Sequence, residues 1–254
     1  MLLAHELIGH SADPALIVIH GITDNRQMWH PLLHDLSAHH LVLAVDLRGH
    51  GQSDTDDGYD PVSYASDVVE TATALGVTDA TVVGHSLGGI VASAFAAIAP
   101  CRAVVNIDQS LRLSGFKEAL TQLAPLLNGG RESFEQALEL MFAAMDGPLS
   151  DAERTRLRHH RRADQTVVLA TWAAVFESTE EELDATVAAL ASAITVPYLA
   201  LHGIDPGPGY AEWLQHLVPT ATVEVWPGMG HYPQLVDPAR FVARLREFDA
   251  QVRG

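Results

Sequence analysis

Ser86 has the sequence context of a nucleophile. It is the central residue of a Gly-x-Ser-x-Gly pattern formed with Gly84 and Gly88. An apolar, β-branched run stops at Gly84 and a helical run of small residues starts just after Ser86, which predicts a sharp turn between a strand and a helix. Such a turn strains the backbone and leaves no room for side chains at the two glycines. The pattern predicts attack by the Ser86 hydroxyl on a carbonyl carbon, with the Leu87 amide, at the positive end of the helix, stabilising the oxyanion.

A serine hydroxyl is a poor nucleophile at neutral pH, so Ser86 needs a general base. The chain has 14 histidines, and His231 is the candidate because it follows a strand and lies in the glycine-flanked loop 228–231. His20 and His85 lie beside other expected parts of the site, and we interpret them as residues that shape its loops. Most of the remaining histidines lack any such context.

The hydrophobic pattern predicts strands that alternate with helices on both sides of Ser86. Alternation of this kind requires crossover connections and therefore a parallel sheet. The predicted fold class is α/β, with a mostly parallel sheet flanked by helices. The strands are expected over residues 2–8, 15–20, 41–46, 80–84, 103–108, 196–202 and 222–226. The clearest helices are expected over residues 61–75, 90–99, 210–217 and 238–252.

Residues 111–193 interrupt this alternation. They contain successive helical stretches, broken at 128–130 and 147–148, and no convincing strand. We therefore predict a core formed by residues 1–110 and 194–254, with a helical cap, or lid, over 111–193. Ligands of parallel sheets bind beyond the carboxyl ends of the strands, so such a cap is expected to cover the site.

Taken together, four stretches resemble the α/β-hydrolase fold, and the resemblance covers nearly the whole chain. In order, they are His20-Gly21, an Asp-x-Arg-Gly-x-Gly-x-Ser loop over 46–53, the pattern around Ser86, and Gly-Met-Gly-His over 228–231. The resemblance implies that the base follows the serine in the chain, as His231 does. The chain departs from the family at its start, where one strand rather than two precedes His20, so the first edge of the sheet is expected to be short.

The resemblance also implies an acidic partner for His231, and two aspartates compete for this role. Asp205 follows strand 196–202, which is the commonest family position, although its loop is one residue shorter than usual. Asp108 closes strand 103–108, a position that some family members use instead. We favour Asp205 on motif position and keep Asp108 as the alternative acid.

The resemblance implies a second oxyanion donor besides Leu87, and this is the backbone amide of Ile22, directly after His20-Gly21. Large apolar residues of the predicted cap and of the catalytic loops are expected to line the acyl or alcohol pocket. These are Trp29, Phe142, Met145, Trp172 and Tyr232. The basic run over 154–162 is interpreted as a solvated helix face paired with nearby carboxylates, with a carboxylate-docking or partner surface as the alternative.

Composition excludes several classes of partner. The formal net charge of −17 argues against nucleic acid and anionic membrane surfaces, because both repel an acidic protein. The charge says nothing about the substrate, and the partner expected for a hydrolase is a small-molecule substrate. Cys101 is the only cysteine, and the first ten residues have neither a basic nor a long apolar segment, which favours a cytoplasmic protein. Neither a nucleotide-binding glycine motif nor zinc-ligand spacing is found, so no cofactor and no metal are expected.

The sequence thus predicts a serine hydrolase that cleaves a small, mostly apolar carboxylic ester, thioester or lactone through an acyl-enzyme. The serine at position 86 argues against the aspartate-nucleophile dehalogenases and epoxide hydrolases of the family. Other reactions of the same residues stay open: hydrolysis of a C–C bond, perhydrolysis of the cofactor-free haloperoxidase kind, and acyl transfer. A non-catalytic protein that binds a small molecule on the same fold is the alternative from another functional class.

Overall fold

A seven-stranded sheet forms the centre of the computed structural model, which describes residues 1–253. The strands are β1 (His5–Ile8), β2 (Ala15–Ile19), β3 (Leu41–Val45), β4 (Thr81–His85), β5 (Ala103–Ile107), β6 (Tyr198–His202) and β7 (Ala221–Val225). Their spatial order is β1-β3-β2-β4-β5-β6-β7, with β1 antiparallel to β3 and every other pair parallel. The predicted α/β class is confirmed, and β1 is the single strand that precedes β2.

Within residues 1–253, helices connect the strands and cover both faces of the sheet. They are α1 (His30–Ser37), α2 (Pro61–Ala74), α3 (Leu87–Ile98), α4 (Ser114–Leu127), α5 (Arg131–Met145), α6 (Asp151–His160), α7 (Gln165–Glu177), α8 (Glu180–Ser192), α9 (Tyr210–Leu217), α10 (Pro233–Val236) and α11 (Pro238–Arg253). A 3-10 helix, Arg26–Trp29, leads into α1. None of the helices in this range combines the length and the apolar character that a membrane span requires.

Two hydrophobic clusters lie on opposite faces of the sheet, because alternate side chains of a strand point to opposite sides. The first cluster joins β2 residues such as Ile17 to buried residues of α2 and α3, and it extends into α4, α5, α7 and α8. The second joins neighbouring β2 residues such as Val18 to α1 and α11. Burial on both faces explains why the central strands read as continuous apolar runs.

Helices α4–α8 lie between β5 and β6 and follow one another without an intervening strand. Their sequence ends at Ser192, six residues before β6 begins at Tyr198. The helical character expected for residues 111–193 is therefore confirmed. The division of the chain into a core and a separate cap stays a prediction, and we refer to α4–α8 below as the helical insert.

The turn between β4 and α3 is strained and tightly packed. Ser86 has φ 53° and ψ −124°, a backbone conformation that non-glycine residues rarely adopt. A Cβ at Gly84 would overlap the carbonyl group of Gly88, and a Cβ at Gly88 would overlap the carbonyl oxygen of Ile19. Both glycines are therefore required for the approach of α3 to β4 and β2, and this packing holds Ser86 at its angles.

This packing makes Gly84 and Gly115 a matched pair of tests. Gly84→Ala should lose about 3 kcal/mol of unfolding free energy or more, because its methyl group has no space without movement of the backbone. Gly115, inside α4, has no atom within 4 Å of an added Cβ, so Gly115→Ala should be neutral or gain up to about 1 kcal/mol from helix propensity. Urea unfolding followed by circular dichroism measures both, and equal stability of the two variants would contradict the packing argument.

Candidate active site

The parallel strands bring several chemistry-bearing residues to one edge of the sheet. Ser86 follows β4, Asp108 follows β5, and His231 lies in the loop after β7. All three line a cavity of about 790 Å³ between this edge and the helical insert. Ser86 is half-buried, whereas Asp108 and His231 are almost completely buried. The edge of the sheet therefore places a hydroxyl, an imidazole and a carboxylate around one space.

Asp108 is the carboxylate that contacts His231. The distance from His231 Nδ1 to Asp108 Oδ2 is 2.6 Å. The other oxygen, Oδ1, accepts hydrogen bonds from the backbone amides of Gly203 at 2.7 Å and Ile204 at 2.9 Å. Burial alone would raise the pKa of Asp108, but the bond and charge of His231 and the two amides lower it below its usual value. The carboxylate is thus held ionised beside the imidazole.

The preference for Asp205 over Asp108 is wrong in this geometry. The side chain of Asp205 is exposed, and its Oδ1 accepts a hydrogen bond from the Gly207 amide at 2.8 Å. This local turn is a common use of a loop aspartate. The loop after β6 presents the amides of Gly203 and Ile204 to Asp108, and by the next residue it has turned towards solvent. Asp205 still lines the cavity, but at its outer part rather than against His231.

The two backbone amides expected to bind an oxyanion belong to residues that line the cavity, Ile22 and Leu87. Neither amide has a hydrogen-bond acceptor among residues 1–253. Leu87 is the first residue of α3, where amide groups have no partner within the helix. Two unpaired donors near Ser86 match the expectation for an oxyanion hole, and their catalytic role remains a proposal.

His20 and His85 hold the loops around Ser86, as expected. His20 faces the carbonyl oxygen of Gly21 with Nδ1 at 2.7 Å, and its Nε2 accepts from the Leu47 amide at 3.0 Å. His85 donates from Nε2 to the carbonyl oxygen of His231 at 2.7 Å. Burial, together with the neighbouring His231, lowers the pKa of His85 to about 3, so the ring is neutral. His85 thus positions the His231 backbone without adding a charge.

The helical insert is attached directly to the His231 loop. The His231 amide donates to the carbonyl oxygen of Met145, the last residue of α5, at 2.8 Å. Gly147 and Gly230 pack backbone to backbone, since a Cβ on Gly147 would lie 2.7 Å from the Cα of Gly230. Both glycines have positive φ, at 56° and 63°. Side chains at either position would separate the insert from the loop that carries the imidazole.

Three of the five residues expected to line the pocket do so: Phe142, Met145 and Trp172. The expectation is wrong for Trp29 and Tyr232. Trp29 is fully buried in the hydrophobic cluster on the opposite face of the sheet, with β2 and α1. Tyr232 is buried with its hydroxyl accepting a hydrogen bond from Arg161. Proximity in sequence to a catalytic loop did not indicate which face each ring would pack against.

Comparison with known proteins identifies relatives of this arrangement. A model described as "Alpha/beta hydrolase family" matches residues 16–244. A curated relative, 2-(acetamidomethylene)succinate hydrolase of Mesorhizobium japonicum, is 32% identical over 245 residues, which cover 92% of this chain and 87% of the relative.

Solved structures of hydrolases are also similar to this chain. A crystal structure of E-2-(acetamidomethylene)succinate hydrolase has a TM-score of 0.77 at 27% identity, covering 98% of this chain and 95% of the other. An esterase from a Rhodococcus species has a TM-score of 0.73 at 25% identity, covering 99% and 98% of the two chains. The neighbours thus include a hydrolase named for a substituted succinate and an esterase, and they do not by themselves assign a substrate to this chain.

The two aspartates can be separated by matched substitutions. Asp108→Asn should lower kcat at least about a hundredfold, because the imidazole loses the acceptor that fixes its tautomer and supports its charge. Asp205→Asn should stay within about threefold of the unaltered enzyme, since its side chain bonds only to its own loop. Steady-state kinetics on the best available substrate measures both. A large loss for Asp205→Asn with Asp108→Asn active would reverse the assignment.

Proposed function

Because the chain belongs to the alpha/beta hydrolase family, we propose that it is a serine hydrolase acting through an acyl-enzyme. Its proposed substrates are small, mostly apolar carboxylic esters, thioesters or lactones. The observation that carries the proposal is the 2.6 Å contact between His231 Nδ1 and Asp108, in a cavity that Ser86 also lines. No metal or cofactor takes part in the proposed mechanism.

The Asp108 contact determines which nitrogen of His231 acts as the base. An ionised carboxylate can only accept, so His231 Nδ1 carries the proton and Nε2 keeps its lone pair. Nε2 takes the proton of Ser86 as the serine oxygen attacks the substrate carbonyl carbon. Asp108 then stabilises the imidazolium that results. The carboxylate itself stays ionised throughout, in agreement with its lowered pKa.

The unpaired amides of Ile22 and Leu87 stabilise the tetrahedral intermediate. Two backbone donors in a site that excludes water contribute strongly, and removal of one such donor in other enzymes costs about 2.7–4 kcal/mol. The α3 N-terminus adds its partial positive charge at Leu87. When the intermediate collapses, the bond to the alcohol breaks and the alcohol leaves with the proton from His231.

Deacylation repeats the same steps with water. His231 Nε2 takes a proton from a water molecule, whose oxygen attacks the acyl carbon. The bond to Ser86 breaks, the serine oxygen recovers its proton from His231, and the carboxylic acid is released. Each proton that His231 takes is returned, so one cycle consumes one water and leaves the enzyme unchanged.

The walls of the cavity support an apolar acyl or alcohol group. Its volume of about 790 Å³ lies in the range of small-molecule sites. The helical insert supplies most of the apolar wall, through residues of α4, α5, α7 and α8. Aromatic rings of Phe116 and Trp172 meet edge to face there, with centroids 5.9 Å apart. Selection among substrates is therefore assigned to the insert, and the reaction to the loops of the sheet.

A second candidate is hydrolysis of a substrate that carries a carboxylate, favoured by Arg112. It is the one lysine or arginine among the cavity-lining residues, and within residues 1–253 it forms no ion pair with a carboxylate. Its guanidinium lies over the ring of Trp213 at 5.1 Å and over that of Tyr210 at 5.9 Å. The name of the Mesorhizobium relative specifies a substituted succinate, which is a compound with two carboxylates.

Labelling with a fluorophosphonate tests the proposed chemistry. We expect one adduct, located by peptide mass spectrometry on Ser86, and at least about a thousandfold loss of ester hydrolysis in Ser86→Ala. Ser110, which also lines the cavity, provides the control, since Ser110→Ala should keep labelling and activity. An unlabelled Ser86 in folded, active protein would overturn the nucleophile. Absence of both labelling and turnover over a wide substrate panel would favour the binding-protein alternative.

A substrate panel with one matched variant tests the role of the insert. Trp172→Ala should move the optimum of p-nitrophenyl esters to longer acyl chains, because the cavity gains the volume of the indole ring. Trp226 is equally buried but lies outside the cavity, so Trp226→Ala should lose similar stability, about 3–5 kcal/mol, without a change of optimum. If neither variant changes the profile, Trp172 serves only to pack the insert.

The same panel decides between the two substrate classes. If neutral esters are the substrates, Arg112→Gln should leave their kcat/KM within about threefold. If carboxylate-bearing amides or esters are preferred, Arg112→Gln should raise KM for them at least about tenfold and leave neutral esters unaffected.

A further inference from the structure

One arginine of the basic run 154–162 does not behave as a solvated face. Arg156 pairs with Glu153 of its own helix at 2.8 Å, as expected, and also donates to the carbonyl oxygens of Gln27 and Met28. Arg158 is exposed. Arg161, the residue directly after α6, instead has a side chain that is only 13% exposed and is turned into the protein. A buried guanidinium needs partners for its charge and its donors.

The guanidinium of Arg161 meets three different groups. Its Nε donates to Asp24 Oδ1 at 3.0 Å, and its Nη2 donates to the hydroxyl oxygen of Tyr232. Its Cζ lies 3.7 Å from the centre of the Phe142 ring, which is a cation–π contact. Asp24 and Tyr232 are themselves almost completely buried. The three partners come from the loop after β2, the His231 loop and α5.

These partners lie next to the proposed catalytic groups. Asp24 is two residues after Ile22, whose amide is a proposed oxyanion donor. Tyr232 is adjacent to His231, and their rings are 5.2 Å apart. Backbone bonds reinforce the first connection, because the Arg162 amide donates to the carbonyl oxygen of Thr23 at 2.9 Å. Arg161 is therefore the side chain that joins the oxyanion loop to the loop of the base.

We propose that Arg161 is a positioning residue, which sets the Ile22 amide and His231 relative to Ser86 through Asp24 and Tyr232. This inference rests on the proposed serine hydrolase function and extends it. Arg161 does not line the cavity, so it acts through its partners and not on the substrate. A displacement of about 1 Å in groups of this kind can lower turnover a hundredfold.

The charges around Arg161 favour a fixed arrangement. Burial lowers the pKa of Arg161, but Asp24, Tyr232 and Asp146 raise it further, so the guanidinium stays charged. Burial raises the pKa of Asp24, against the opposing effects of Arg161 and His231. The opposite charges of this buried pair therefore compensate each other. Only a planar group with several donors can serve a carboxylate, a hydroxyl and a ring face together.

The test compares Arg161→Gln and Arg161→Lys with Arg158→Gln, an exposed arginine of the same run. On the smallest ester that the enzyme hydrolyses, both Arg161 variants should lower kcat at least about tenfold, with KM within about threefold. Arg158→Gln should resemble the unaltered enzyme. Longer esters should show the same fold loss in kcat, because the cavity wall is not what changes.

A merely structural role predicts a different result. If Arg161 only holds the insert, its variants should change KM and chain-length preference while kcat on the smallest ester is retained, and this outcome would overturn the proposal. Full activity of both Arg161 variants would also overturn it. Guanidinium chloride at low millimolar concentration should partly restore kcat in Arg161→Ala and leave Arg158→Ala unaffected.

Two further variants keep the test informative if the single Arg161 variants fold poorly. Tyr232→Phe removes only the hydroxyl, and Asp24→Asn combined with Arg161→Gln leaves no unpaired charge buried. Both should fold and show the same selective loss of kcat, and retained kcat in both would contradict the proposal. Failure of the proposed function is distinguishable, because the unaltered enzyme would then lack Ser86-dependent hydrolysis altogether.

Discussion

The carboxylate of Asp108 is the contact on which the arrangement of the site depends. Its two oxygens accept hydrogen bonds from three groups, the amides of Gly203 and Ile204 and the imidazole of His231. These groups follow β6 and β7, while Asp108 itself follows β5. One buried anion thus connects the segments that follow β5, β6 and β7. An apolar side chain at this position would leave the two amides and the imidazole without their acceptor, which is costly in a low dielectric.

This contact also explains what the sequence could and could not predict. The strand and helix pattern and the turn at Ser86 follow from local preferences, and the structure agrees with them within a few residues. The choice between Asp108 and Asp205 depends instead on where a loop points its amides, which is a long-range property. The short Gly203-Ile204-Asp205 spacing was a signal, since two consecutive amides directed at one carboxylate leave the next side chain outside. Asp108 binds backbone amides, as aspartates in loops commonly do, and it also contacts His231.

Dependence on long-range packing also explains why two aromatic residues do not line the cavity and why one arginine of the basic run is buried. Trp29 lies seven residues after Ile22 and Tyr232 lies next to His231, but closeness in sequence does not determine the side of a strand or loop on which a residue packs. The run 154–162 has one composition and several environments: Arg158 is exposed and Arg161 is buried against Asp24. Composition predicts how many charges a segment carries, whereas burial of one of them depends on the element packed against it.

The attachments of the helical insert differ from its walls in a way that bears on function. Its cavity-facing residues are mostly apolar and form one wall of the proposed pocket, and volume-conserving changes among such residues are usually tolerated. Its attachments are specific and polar: the carbonyl oxygen of Met145 binds the His231 amide, and Arg161 binds Asp24 and Tyr232. Substitutions in the walls should therefore alter selectivity, while substitutions in the attachments should alter turnover. When the insert is held in this manner, its wall residues can change and alter the preferred substrate while the geometry around Ser86 is preserved. This agrees with the variety of named activities among structurally similar relatives.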